Sequence, residues 1–185
     1  MPVTVLDPKT ALVIIDLQRG VAAMAAGPVL DAVVANAAIL AKAFRAKGLP
    51  VVLVNVAGVA PGRTDAPGFA GPFPEGFDHL LPELDAQASD YRVTKHTWGA
   101  FPNTNLAEIL KREGVTQIVL AGVATSIGVE STAREAFALG FNLTLVSDAM
   151  TDRAPEAHDN SLKIIFPRLG EVRTTRDVLD ALGTR

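Results

Sequence analysis

Residues 117–139 read QIVLAGVATSIGVESTAREAFAL, one complete passage from strand to helix. The apolar, β-branched run QIVLAG (117–122) has the composition of a buried strand. The chain then turns through Val123, Ala124 and Thr125 into a helix that begins near Ile127, ends at Leu139 and is closed by Gly140. Such a turn aims backbone N–H groups and the positive end of a helix dipole at one point, where an anion or oxyanion can sit. The first helical turn is also the usual seat of an attacking thiol or hydroxyl. Here it holds Gly128, and the chain has no cysteine. Chemistry at this turn does not use a cysteine.

The same alternation extends in both directions. ALVIID (11–16) is a second buried strand, followed by a helix over 28–47 whose apolar positions Leu30, Val33, Val34, Ala37, Leu40, Ala41 and Phe44 recur at helical spacing. Gly48 stops it, and PVVLVNV (50–56) is the next strand. Residues 57–85 are rich in Gly and Pro and read as a long loop, of a length that is usually functional or mobile. Residues 91–95 form a short strand, and a helix capped by Thr104 or Asn105 runs to Glu113 and is closed by Gly114. NLTLVSD (142–148) is a strand, 154–166 a helix stopped by Pro167, and a short strand near Val172 precedes a last helix capped by Thr174 or Thr175. Alternating strands and helices predict a mostly parallel sheet with helices on both faces. Ligands of such sheets bind beyond the carboxyl ends of the strands. That rule alone gathers Asp16, Asn55, Lys95, the 123–125 turn and Asp148 on one edge.

The bulk properties bound the rest. A chain of 185 residues, 49% hydrophobic, forms one α/β domain over 1–185 with a substantial core. The net charge is -3 and no basic stripe exists, so a nucleic-acid partner is not expected. No apolar stretch spans a bilayer, and residues 1–10 lack a secretory pattern. Without cysteine there are no disulfides or thiolate metal sites, in keeping with a cytoplasmic location.

Asp16, Lys95 and the helix start at Gly128 form a set with chemical meaning: an acid to move a proton, an amine to hold the acid or a substrate anion, and N–H groups for developing negative charge. The stretches ALVIIDLQRG (11–20), VTKHTWGAF (93–101) and LAGVATSIGVESTAREAFALGFNLTLVSDAMTD (120–152) resemble, in order and spacing, the isochorismatase-like hydrolase superfamily, also called cysteine hydrolases. The resemblance implies a single-domain, doubly wound, Rossmann-like three-layer fold and, in most members, an Asp–Lys–Cys triad. Asp16 and Lys95 match its first two members, and Gly128 occupies the cysteine position. The resemblance also implies a cis peptide in the segment matching Val123–Ala124, and a homodimer or larger oligomer. Many amidases of the superfamily carry a metal after the second strand on an aspartate and histidines. NVAGVAPGRTDAP (55–67) has no histidine, so no metal and no other cofactor is expected here.

Amidases of the superfamily need the thiolate. Isochorismatase resembles this chain in having glycine at that position; it cleaves a vinyl ether and needs an acid rather than a nucleophile. Its histidine two residues before the glycine is Ser126 here. The expectation is a hydrolase of a vinyl-ether or amide-like bond in a small anionic substrate, with Asp16 as general acid and Lys95 as its partner. The alternative is a catalytically inactive binder of small molecules. A third reading makes Gly128 an introduced replacement of a cysteine; a natural branch with glycine speaks against it.

Single residues carry plainer readings beside these. Asp16 and Lys95 can form a merely structural bridge. Val123, Ala124 and Thr125 are expected to contact substrate through the turn. Gln18 either donates to substrate or caps the following segment. Trp98 and Phe101 form a pocket wall, core packing or a subunit contact. Ser126 serves as a turn or cap residue rather than a nucleophile, because no histidine is placed to activate it. Asp148 anchors backbone, and His79, His96 and His158 lie at the surface without metal-ligand spacing.

Overall fold

The computed structural model describes residues 6–25, 27–65 and 72–183. Six strands, β1 (Thr10–Ile15), β2 (Val51–Val56), β3 (Tyr91–Lys95), β4 (Gln117–Val123), β5 (Asn142–Thr151) and β6 (Glu171–Arg173), form one sheet in the order β3-β2-β1-β4-β5-β6. Every pairing is parallel. The order reverses between β1 and β4, which makes the crevice beyond their carboxyl ends the topological switch point. Asp16 and the 123–128 turn leave the sheet there.

Both faces of the sheet are covered, as continuous apolar strands require. Leu12 and Ile14 of β1 pack with α2 (Pro28–Ala46) and α6 (Thr175–Gly183) on one side. Ala11, Val13 and Ile15 pack with α3 (Leu106–Arg112) and α4 (Glu130–Ala138) on the other. The seven apolar positions that predicted the first long helix are the buried residues of α2.

Several expected boundaries shift, each for a local reason. A short helix, α1 (Arg19–Met24), follows β1; it buries no residue completely and is too short to show periodicity. The helix after β4 starts at Thr125, ahead of Ile127, with one wide π-helical turn over Thr125–Val129 before α4. β5 does not end at Asp148. It bulges between Leu145 and Met150, so that Gly122 pairs with Met150 and Val123 with Thr151. The helix expected over 154–166 breaks into α5 (Pro155–Asn160), a π-helical turn and a 3-10 turn over Phe166–Arg168. Pro167, lacking an N–H, sits inside that 3-10 turn.

Caps differ in detail. Asn105 makes no side-chain cap; the Thr104 hydroxyl instead accepts from Leu106 N at 3.2 Å and donates to the Ala100 carbonyl at 2.6 Å. Thr174 caps α6: its hydroxyl accepts from Asp177 N at 3.2 Å, and Asp177 in turn accepts from Thr174 N at 2.9 Å. The long 57–85 stretch is tied down at its end. Phe77 and His79 carbonyls accept from Gly20 and Arg19 N, Leu81 N donates to the Leu17 carbonyl, and Pro82–Leu84 forms a 3-10 turn. Residues 66–71 of that stretch lie outside the described residues.

Gly122 is the one glycine that the switch point demands. Its φ is +120°, and a Cβ there would collide with the Ile15 carbonyl of the neighbouring strand. The close approach of β4 to β1 thus depends on the missing side chain, immediately before the turn that faces Asp16.

Candidate active site

Asp16 is the first residue beyond β1. Its N–H donates to the Val54 carbonyl at 2.9 Å, and its φ is +53°, a left-handed conformation uncommon outside glycine. That twist turns the side chain from the strand toward β4. Lys95, the last residue of β3, reaches back over β2 so that its Nζ lies 2.8 Å from Asp16 Oδ2. The two side chains are only 8% and 2% exposed. The ammonium also donates to the carbonyls of Thr97 at 3.1 Å and Trp98 at 2.9 Å, so all three of its protons are engaged.

The acid is less well served. Asp16 Oδ1 is buried and has no hydrogen-bond partner among the described residues. Burial pushes the Asp16 carboxyl up to about 6, and the charge and hydrogen bond of Lys95 pull it down only part of the way. Gly128 faces this carboxylate: a Cβ on it would lie 3.1 Å from Asp16 Oδ2 and 3.0 Å from Ile15 Cγ2.

The turn between them is braced. The Val123–Ala124 peptide bond is cis. The Ala124 carbonyl accepts from Ile127 N and Val129 N. Ser126 N and Oγ both donate to Asp152 Oδ2 at 2.8 Å, while Asp152 Oδ1 accepts from Ala154 N. Thr132 joins the turn to the lysine loop, donating to the Gly128 carbonyl at 2.7 Å and accepting from Ala100 N at 3.1 Å.

Asp16, Lys95, Trp98, Val123, Ala124 and Gly128 line one cavity of about 400 Å³. Three residues expected to contact substrate do not line it. Gln18 is fully buried beneath the site; its Nε2 donates to the Val56 and Phe77 carbonyls and its Oε1 accepts from Val56 N. Its amide is saturated by backbone. Thr125 is buried but does not line the cavity; its hydroxyl lies 2.8 Å from Nδ1 of His158, a residue of the adjoining groove along α2. His158 is accordingly half-buried rather than a free surface residue. Phe101 packs on Phe141 at a centroid separation of 6.2 Å, as part of the core beside α3 and α4.

Other lining residues had no signal in the strand and helix pattern. Phe73 and Phe77 stack at 4.1 Å and come from the long Gly- and Pro-rich stretch, where no periodicity marks them. Asp152 and Arg153 reach the cavity because of the β5 bulge. Asp148, expected near the site, holds α6 instead: its Oδ1 accepts from Thr175 N and Oγ1 at 2.6 and 2.8 Å. A wider groove of about 970 Å³ along α2 adjoins the cavity but contains no paired acid and amine. Among the described residues no group of three or more His, Cys, Asp or Glu side chains could hold a metal ion. No helix among them is long and apolar enough to cross a membrane.

Fold and cavity together define a class: a doubly wound α/β protein with a buried carboxylate–ammonium pair at its topological switch point. Residues 10–177 match the isochorismatase domain model, and the chain belongs to the isochorismatase family. It is similar to an uncharacterized isochorismatase family protein, YecD, of Escherichia coli O157:H7, 45% identical over 180 residues that cover 94% of this chain and 96% of that protein. Among solved structures it is similar to an isochorismatase family protein from Burkholderia thailandensis, with a TM-score of 0.91, 43% identity and coverage of 97% of this chain and 98% of that one. It is also similar to N-carbamoylsarcosine amidase from Thermoplasma acidophilum, with a TM-score of 0.74, 28% identity and coverage of 90% and 96%. The family is one of hydrolases.

Proposed function

We propose that this family member hydrolyses a vinyl-ether or amide-like bond in a small anionic molecule, with Asp16 as general acid, Lys95 as its charge partner and no cysteine nucleophile. The observation that carries the reading is the buried Asp16–Lys95 pair facing the empty side of Gly128. An acid beside a lysine would ordinarily be ionised, and a general acid must hold a proton. Burial supports the proton: it pushes the Asp16 carboxyl up to about 6 against the pull of Lys95, which favours a protonated population near neutral pH.

For a vinyl ether, Asp16 gives its proton to the terminal vinyl carbon. Water adds to the ether carbon as positive charge develops there, and the hemiketal separates into an alcohol and a carbonyl compound. A proton from the added water returns to Asp16. Lys95 balances the carboxylate left in between. For an amide-like bond, the amides of Ala124 and Gly128 would hold the oxygen on which negative charge develops, in the space that a side chain at Gly128 would narrow. Replacing Asp16 with Asn should abolish turnover across a panel of small vinyl ethers, amides and imides; retained turnover would remove the proposal.

The absence of cysteine favours one second reading, a non-catalytic binder of small carboxylates or carbonyl compounds. It requires ligand-dependent thermal stabilisation with no product from any member of the panel. We further propose one domain over 1–185 acting in the cytoplasm as a homodimer or larger oligomer. Exposed apolar side chains such as Phe137 and Leu139, 52% and 57% accessible, support the association. A monomer in analytical ultracentrifugation at micromolar concentration would oppose it.

A further inference from the structure

The cavity that holds Asp16 and Lys95 has a second cation at its rim. Arg153 follows the β5 bulge and lines both this cavity and the groove along α2. It is exposed, and its guanidinium makes no ion pair or hydrogen bond among the described residues. The nearby acids do not pair with it. Asp152 gives one oxygen to Ser126 and the other to Ala154 N, and Asp16 Oδ2 is held by Lys95. The wall beneath Arg153 is apolar, with Val21, Met24, Val59, Phe77 and Ile127 facing the space.

The lysine cannot serve a substrate anion, because its three protons already go to Asp16, Thr97 and Trp98. Arg153 is therefore the cation with donors to spare. Its planar fork matches a carboxylate through two parallel N–H···O bonds. A volume of about 400 Å³, near the small end of ligand pockets, suits a single ring or a short chain.

We propose that Arg153 is a specificity-determining residue that anchors a carboxylate of the substrate at the rim, and that the substrate is a small monoanionic acid. Its apolar or unsaturated body lies against Phe77 and Trp98, and its reacting end reaches Asp16. This rests on the cavity being the substrate site of a hydrolase.

The test is calorimetric titration of benzoate and crotonate, with benzamide as the uncharged counterpart of benzoate, into the wild-type protein, Arg153→Gln and Arg153→Lys. Wild type binds the acids. Arg153→Gln weakens them about ten- to a hundredfold, with Arg153→Lys between the two, as loss of a charge-assisted bidentate contact requires. Benzamide is bound alike by wild type and Arg153→Gln, which reports an intact cavity. Equal affinity of wild type and Arg153→Gln for the acids overturns the anchor, as does failure of wild type to bind either acid. Parallel loss of benzamide and benzoate also overturns it, because charge would then not be what is read. Turnover retained by Asp16→Asn sinks the hydrolase reading separately and leaves these affinities unchanged.

Discussion

The Oδ2 of Asp16 stands 3.1 Å from the point that a Cβ on Gly128 would occupy. The glycine thus keeps open a space bounded on one side by the acid and on another by Ile15 Cγ2 at 3.0 Å. Gly128→Ala brings a methyl group into both contacts, so Asp16 and Ile15 must each give way by a few tenths of an ångström. The expected cost in stability is about 1–3 kcal/mol, that of mild overpacking. Because the displaced group is the acid itself, kcat/KM should fall by more than about tenfold. Denaturant unfolding and steady-state kinetics on the same preparation check the two effects. Unaltered kinetics would mean that the acid does not work in that space.

The raised carboxyl of Asp16 links stability to pH. In the unfolded chain it titrates near 3.8, and in the folded protein near 6. Between these values the folded state binds more protons than the unfolded one, so this group makes stability fall as pH rises. Its penalty is absent below about 4 and fully present above about 6, and amounts to about 3 kcal/mol. Urea unfolding from pH 4 to 7 should show this downward contribution in wild type, and Asp16→Asn should lack it. The same titration should give kcat/KM a limb that falls tenfold per pH unit above about 6, since the protonated form is the active one. In Lys95→Met that limb should move to higher pH, because the lysine is what holds the carboxyl down against burial. A limb that stays in place would exclude Asp16 as the titrating acid.

The layered fold was legible because each layer leaves a periodic trace. α2 repeats its buried positions at helical spacing, and the β1 and β4 runs are apolar throughout, as strands covered on both faces must be. The placement of Asp16, Lys95 and the 123–125 turn on one edge followed from parallel topology alone, whereas Gly128 entered as the position that matches the family cysteine. What periodicity could not carry was side-chain direction after a strand ends. Gln18 and Thr125 each sit next to a residue that lines the cavity or within two of one, yet Gln18 is consumed by β2 and Phe77 backbone, and Thr125 points at His158. Arg153 depends on the β5 bulge, a departure from regular pairing that no alternation pattern encodes.

Ser126 offers a test of the absent nucleophile. Its hydroxyl lies close to the cavity, but donates to Asp152 Oδ2 at 2.8 Å, the same oxygen that receives its own N–H. An aspartate can accept that proton in geometry but is a weak base for serine, and no histidine bonds the hydroxyl. Ser126→Ala removes one of the two bonds to Asp152 and should cost about 1 kcal/mol of stability. Turnover should remain within about threefold of wild type, far from the loss that accompanies removal of a covalent nucleophile. A fall of several orders of magnitude would instead assign Ser126 the attacking role.

Gln18 is the residue whose structural part is most separable from chemistry. It is fully buried, and its one amide bridges the end of β2 and the Phe77 carbonyl, with bonds of 2.9, 3.0 and 2.7 Å. Phe77 in turn stacks on Phe73 and forms the cavity floor. Gln18→Ala leaves Val56 N and the Val56 carbonyl without their partner, while the Phe77 carbonyl keeps the bond from Gly20 N, and should cost about 1–3 kcal/mol. Gln18→Glu restores the acceptor for Val56 N but turns the donor toward Val56 and Phe77 into an oxygen facing two carbonyls, so it should be no more stable than the alanine variant. The kinetic signature differs from that of a substrate-binding group. Once the variants are compared at a temperature where each is fully folded, the main change should be a raised KM from a loosened Phe73–Phe77 wall, with the pH limb of kcat/KM still set by Asp16. A shifted limb would mean that Gln18 touches the acid's environment directly, contrary to the hydrogen bonds it makes.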